Sequence, residues 1–167
     1  LYYIGCHLVD MVCQFMGFPD EVVPLSASTG NEGVKSEDYG FALLKYKTGV
    51  SFVKTCSSEL NGFDRRQLVV TGTKGTMEIR PWEISAPGGI RTEAKLTLLK
   101  EKTAHWSDSS EKLTTDVFDR YDTMMRHFAA QVRGEADMFS SYEYERRLFE
   151  TVIKACGAKN SVYGEDK

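Results

Sequence analysis

The sequence predicts an α+β fold: an open, mainly antiparallel β-sheet with helices packed on one face. Three observations carry this. An apolar helical run opens the chain, short alternating segments broken by glycine turns fill its middle, and helix-spaced apolar residues return only from Phe118 onward. Strands grouped apart from helices argue against the βαβ order of a doubly wound fold. With 167 residues the chain is long enough to bury a sizeable core, and it reads as one domain over 1–167.

The opening run is Leu1-Tyr-Tyr-Ile-Gly-Cys-His-Leu-Val-Asp10-Met-Val-Cys-Gln-Phe-Met-Gly17. Gly17 followed by Phe18-Pro19 is a helix stop, so about three turns of helix run back from Gly17 to near His7. The i, i+3 spacing of His7 and Asp10 puts them on one face. Leu8, Val9, Met11, Val12, Phe15 and Met16 cover most of the rest, which predicts a helix buried on several sides. A buried carboxylate and imidazole need partners or a purpose. No Met, strand or cap precedes this helix, so the chain reads as a piece of a longer protein.

Glu21–Leu25 is a short extended segment, and Ser26–Glu37 is a polar loop. Tyr39–Tyr46 and Val50–Ser58 form a hairpin across Lys47-Thr48-Gly49. Gln67–Thr71 and Thr76–Arg80 form a second hairpin around Gly72-Thr73-Lys74-Gly75, and Pro81 ends it. Ala86-Pro-Gly-Gly89 is a loop. Thr92–Lys100 alternates as a half-buried antiparallel strand, and Lys102–Ser110 is polar and mobile apart from Trp106. Phe118, Tyr121, Met124, Met125, Phe128 and Val132 recur at helical spacing up to a stop at Gly134. Ser140-Ser-Tyr-Glu143 is a capping-box pattern. It opens a last helix with Leu148, Phe149, Val152, Ile153 and Cys156 on one face, ending at Gly157 or near Asn160. The sheet face away from the helices, with Phe52, Val70 and Leu99, is a candidate subunit interface.

A formal charge of −3 gives no electrostatic reason to expect nucleic acid or an anionic membrane. No apolar run approaches the roughly 18 to 20 residues of a membrane span. Cys6, Cys13, Cys56 and Cys156 form no CxxC pair and match no common zinc spacing, so no metal is expected. Each lies in an apolar segment, which predicts buried free thiols in a reducing, cytoplasmic setting. His127 reads as a partly exposed helix residue, and Met124-Met125 as core. Trp82, just after the second hairpin, is a candidate pocket wall for substrate. His105 with Trp106 is a loop pair that could cover a sugar ring. No Gly-x-Ser-x-Gly elbow supports a hydrolase.

These segments together resemble the C-terminal domain of the Gfo/Idh/MocA oxidoreductases, the family of glucose-fructose oxidoreductase and inositol dehydrogenase. Gly5-Cys6-His7-Leu8-Val9-Asp10 looks like the family's G-x-H-x-x-D segment. Tyr39–Glu59 is similar to its central hairpin, Val70–Met77 to its glycine turn, and Tyr121–Gly134 with Ser140–Gly157 to its two closing helices. The resemblance implies an NAD(P)-dependent oxidoreductase acting on a sugar, polyol or related carbinol. It implies a dinucleotide-binding domain and a catalytic lysine upstream, so NAD or NADP would be bound mainly outside this chain. The chain alone would be inactive, with no cofactor-binding residues of its own. It implies a homodimer or homotetramer formed through the open sheet face. His7 matches the catalytic histidine, and an imidazole with an ordinary pKa of about 6.5 can take and return a hydroxyl proton near neutral pH. Asp10 matches a substrate-binding or orienting acid. Many members carry Asp four residues before the His. Here that position is Tyr3, an auxiliary catalytic donor whose ordinary pKa of about 10 differs from a carboxylate's. That departure supports an alternative, a non-catalytic homologue serving as a dimerising or sugar-sensing module.

Overall fold

The computed structural model describes residues 1–33, 35–99 and 110–157. His105, Trp106 and the polar stretch 102–109 lie outside these residues, as do the end of the expected strand at Lys100, the Asn160 region and the tail. The elements in chain order are α1 (Tyr2–Met16), β1 (Glu21–Pro24), a 3-10 turn (Asn31–Gly33), β2 (Tyr39–Tyr46), β3 (Gly49–Cys56), β4 (Leu68–Gly72), β5 (Gly75–Ile79), β6 (Ile84–Ala86), β7 (Gly89–Arg91), β8 (Glu93–Leu98), β9 (Ser110–Thr114), α2 (Asp122–Val132) and α3 (Tyr142–Ala155). The fold is α+β, and every strand pair among the described residues is antiparallel. The strands form three open sheets, in the orders β1-β2-β3, β4-β5-β8-β9 and β6-β7. The chain divides into two compact units, one of Leu1–Glu59 with the residues from Met138 on, the other of Leu60–Asp137.

In the first unit, period-two alternation along β2 and β3 decides which face is buried. Register sets Ala42 opposite Val53, Leu44 opposite Ser51 and Gly40 opposite Thr55. Directly opposed residues share a face. Ala42 and Leu44 are fully buried there, with Val53 nearly so, and they pack with Val9 and Cys13 of α1 and with Val152 and Ala155 of α3. Helix α1 is fully buried along one stripe, Gly5, Val9 and Cys13, and half-buried Cys6, Leu8 and Val12 pack beside it. The expectation of burial on several sides is therefore corrected. Tyr2, Tyr3, Ile4, Phe15 and Met16 are exposed. The start of α1 comes close to the sheet: a Cβ on Gly40 would stand 2.8 Å from Leu1 Cβ and 3.0 Å from the Leu1 backbone nitrogen, and one on Gly5 would stand 2.7 Å from Leu1 Cγ. Helix α1 also starts earlier than expected, at Tyr2, and ends as predicted at Gly17, whose φ is 75° and whose N–H donates to Cys13 O.

The opposite sheet face carries Phe41, Leu43, Val50 and Phe52, and the Phe41 and Phe52 rings stack 5.5 Å apart. Phe52 is 64% exposed. The cysteines are free, as expected, but only Cys13 is fully buried, and Cys6, Cys56 and Cys156 are half-buried. Helix α3 begins one residue later than the capping-box pattern suggested. Ser141 is the N-cap and its Oγ accepts from Tyr144 N–H at 3.1 Å. Ser140 instead bonds the Glu145 carboxylate. At the far end Gly157 has a φ of 73°, the left-handed stop the sequence called for.

In the second unit, one face of the four-stranded sheet carries Val70, Met77, Leu96 and Leu113 and the other carries Glu78, Lys95 and Lys112. Phe52 lies on β3 of the three-stranded sheet, Val70 on β4 of the four-stranded sheet and Leu99 just past β8, so the three do not belong to one sheet face. The segment expected to be a loop at Ala86–Gly89 is the two-residue turn of the β6–β7 hairpin. Strand β9 was not foreseen, since Ser110-Glu-Lys-Leu-Thr114 has a single apolar residue and owes its conformation to pairing with β8. Helix α2 starts at Asp122 and has no fully buried residue, so Met124 and Met125 are about half exposed rather than core. Glu83, only 10% exposed, binds Arg120 through both carboxylate oxygens, and Arg66 approaches it at 3.8 Å. That cluster ties three separated segments together.

Gly75 closes the β4–β5 turn where β8 passes close by. A Cβ there would stand 2.3 Å from Thr97 O, a backbone atom that cannot swing away. Gly75→Ala is expected to destabilise the fold by about 2–4 kcal/mol, read as a lowered urea midpoint at unchanged slope. Burial, and then the Asp10 carboxylate, pushes the Cys13 thiol up from 9.0 to about 11. The unfolded thiol therefore ionises first as pH rises. Its stabilising contribution is complete below pH 9, declines above it, and is gone above about 11. Urea titrations across that window should show falling stability, with a shallower fall in Cys13→Ala.

Candidate functional site

The three sequence-predicted residues of α1 occupy one side of the helix, since Tyr3, His7 and Asp10 follow i, i+4, i+7 spacing. The buried stripe of Gly5, Val9 and Cys13 lies around the helix from them. His7 is exposed rather than buried, Tyr3 is 88% exposed, and Asp10 is half-buried. The expected burial of the imidazole is thus corrected, since α1 is open along this side.

Asp10 is the organised member. Its Oδ1 accepts the Tyr144 hydroxyl proton at 2.6 Å and a longer bond from Gln14 Nε2 at 3.4 Å. Gln14 Nε2 also donates to Tyr144 Oη at 2.9 Å. A separation of 2.6 Å is that of a charge-assisted O–H···O⁻ bond. Burial, and then this bond, pushes the Tyr144 hydroxyl well above the ordinary tyrosine range. Both donors reach Oδ1, and among the described residues nothing bonds Oδ2.

Tyr144 is fixed from two directions. Its backbone N–H is held by the Ser141 cap. Its ring packs against Phe18, 5.2 Å between centroids at 54°, and the Arg147 guanidinium lies 4.2 Å over the other ring. The Gly17-Phe18 stop therefore does more than end α1, since it delivers the ring that seats Tyr144.

Gln14 was legible in principle, standing i+4 from Asp10. Tyr144 was not, because a lone tyrosine on a distant helix carries no local signal linking it to residue 10. Trp82 belongs to the second unit and is half-buried. Its N–H donates to Arg66 O and its carbonyl accepts from Thr92 Oγ1 at 3.1 Å. His127, half-buried on α2, contacts Asp137 O at 3.1 Å.

The glycines do not suit a dinucleotide. Gly75 and Gly89 would bring a Cβ to 2.3 Å from Thr97 O and 2.4 Å from Phe118 O, so both serve close strand contacts. Neither opens an α-helix, the arrangement that holds a pyrophosphate. Among the described residues no group of three or more His, Cys, Asp or Glu could hold a metal ion. No described helix is long and apolar enough to cross a membrane. A shallow depression of about 410 Å³ in the second unit is lined by Glu78, Glu93, Lys95 and Lys112 among others, and none of the four predicted residues borders it. Glu93 and Lys112 pair there at 2.6 Å.

Among solved structures the chain is similar to a protein of Klebsiella pneumoniae assigned as an oxidoreductase, at 17% identity and a TM-score of 0.65, over 94% of this chain and 47% of that one. It is likewise similar to yvaA of Bacillus subtilis, also assigned as an oxidoreductase, at 18% identity and a TM-score of 0.66, over 94% and 49%. At such identities the likeness concerns the fold, and the chain spans about half the length of these structures. No curated protein matches it. The family model described as the C-terminal alpha/beta domain of an oxidoreductase family matches residues 1–144. With that match added to the helix-on-sheet arrangement of α1, β2, β3 and α3, the chain belongs to the Gfo/Idh/MocA oxidoreductase family, as its C-terminal domain.

Proposed function

We propose that this domain binds and orients the substrate of an NAD(P)-dependent oxidoreductase acting on a sugar, polyol or related carbinol. The observation that supports this best is the row of Tyr3, His7 and Asp10 along the open side of α1, with Asp10 held by Tyr144 and Gln14. His7, exposed at the middle of the row, takes the hydroxyl proton in the oxidative direction and returns it in the reverse. Asp10 accepts a bond from a second hydroxyl. Tyr3 serves as an auxiliary donor. The glycines described above offer no pyrophosphate cradle, so NAD or NADP is held by another part of the protein, and there it supplies the hydride acceptor.

The open face of the β1-β2-β3 sheet, with Phe52 at 64% exposure and Val50 at 63%, suits a homodimer or homotetramer interface. A cytoplasmic location fits the free thiols. Tyr3 at a position where many family members carry a carboxylate favours a second reading, a non-catalytic dimerising or sugar-sensing module.

The deciding assay follows reduction of NAD⁺ and NADP⁺ by the intact protein with myo-inositol, D-glucose and D-glucitol. His7→Ala is expected to lower kcat/KM by about 10²–10⁴-fold, the usual contribution of a positioned acid/base. Unchanged kcat/KM would sink the catalytic role. Affinity for a panel sugar without turnover in the unsubstituted protein would establish the module instead. For the interface, Phe52→Glu is expected to halve the sedimentation mass of the assembly, and an unaltered mass would remove this face from consideration.

A further inference from the structure

We infer that Tyr144 is a positioning residue for Asp10, and that it fixes the carboxylate so that Oδ2 alone is left to accept a substrate hydroxyl. This rests on the proposed substrate-binding role of Asp10 and extends it to a residue on another helix. The geometry is asymmetric. Tyr144 Oη and Gln14 Nε2 both bond Oδ1, at 2.6 and 3.4 Å. A carboxylate offers about four acceptor sites on two oxygens. Using two of them on one oxygen holds the side-chain torsion and leaves the other oxygen open.

Tyr144 suits this task because it can hardly move. The Ser141 cap holds its backbone and Phe18, under the Arg147 guanidinium, holds its ring. Gln14 Nε2 bonds the phenol oxygen at 2.9 Å, so the single phenolic hydrogen is directed to Asp10. Like any tyrosine, Tyr144 keeps that hydrogen at neutral pH, and burial and then the bond to Asp10 extend this further into the alkaline range. An acceptor-only oxygen favours a donor, so the arrangement selects substrates with a hydroxyl at that position over their deoxy or O-methyl analogues. A site built on such a bond discriminates strongly against a substrate lacking the donor.

The test uses the intact protein and the same panel of myo-inositol, D-glucose and D-glucitol. Tyr144→Phe keeps the ring against Phe18 and removes only the hydroxyl. The expected result is a KM raised about 5- to 20-fold with kcat changed less than about 3-fold, corresponding to loss of one oriented hydrogen bond. In an Asp10→Asn background the same substitution is expected to have almost no further effect, because Tyr144 acts through Asp10. Gln14→Leu should move KM in the same direction by less, and it serves if Tyr144→Phe loses its fold by circular dichroism. Turnover abolished by His7→Ala together with an unchanged KM in Tyr144→Phe would overturn this inference alone. Additive effects of Tyr144→Phe and Asp10→Asn would overturn it too, by reducing Tyr144 to a general support. No turnover of any panel member by the unsubstituted protein would overturn both this inference and the reading beneath it.

Discussion

The first unit depends on how closely α1 can approach the sheet. Gly5 and Gly40 leave room for Leu1 at the start of the helix, and Val9 and Cys13 pack with Ala42, Leu44 and Val53. Burying a Val or Leu side chain is worth about 1.5–3 kcal/mol, so this small contact supplies much of the first unit's cohesion. Val152 and Ala155 of α3 close the same cluster. Because α3 is anchored there, its first turn is held near α1, and Tyr144 falls within reach of Asp10. The candidate site thus follows from core packing, and the polar network around Asp10 follows from where that packing leaves two helices.

Much of the fold was legible because the deciding signals were local. Alternation specified β2 and β3 to within a residue or two, and Gly17, Gly134 and Gly157 marked helix ends through backbone geometry that other residues seldom adopt. Where the sequence misled, a nonlocal partner decided. Strand β9 has no apolar alternation and is extended because β8 offers it a ladder. The small hairpin at Ala86–Gly89 is too short for any period to emerge. Ser140 and Ser141 satisfy similar cap patterns, and the choice between them is made by which one meets the Tyr144 N–H.

The site was legible in its residues and illegible in its partners. His7 and Asp10 stand out as polar residues within an apolar helical run, and their shared face follows from their spacing. Their environment did not follow. The apolar neighbours of His7 suggested burial, yet the fully buried residues of α1 are Gly5, Val9 and Cys13, which lie around the helix from it. The partners that Asp10 needs are a phenol and an amide from Tyr144 and Gln14. Among the described residues no cation lies at hydrogen-bond distance from this carboxylate.

Helix α1 carries two interleaved residue sets. Positions 5, 9 and 13 face the core, while positions 3, 7, 10 and 14 face the open side. The sets share no member, so a change in what the site recognises need not disturb what the helix rests on. A helix arranged this way can drift in chemistry while its seat on the sheet stays fixed. Tyr3, 88% exposed, stands in the set that is free to vary. Diversification of substrate within one scaffold then becomes a matter of repainting one side of a single helix.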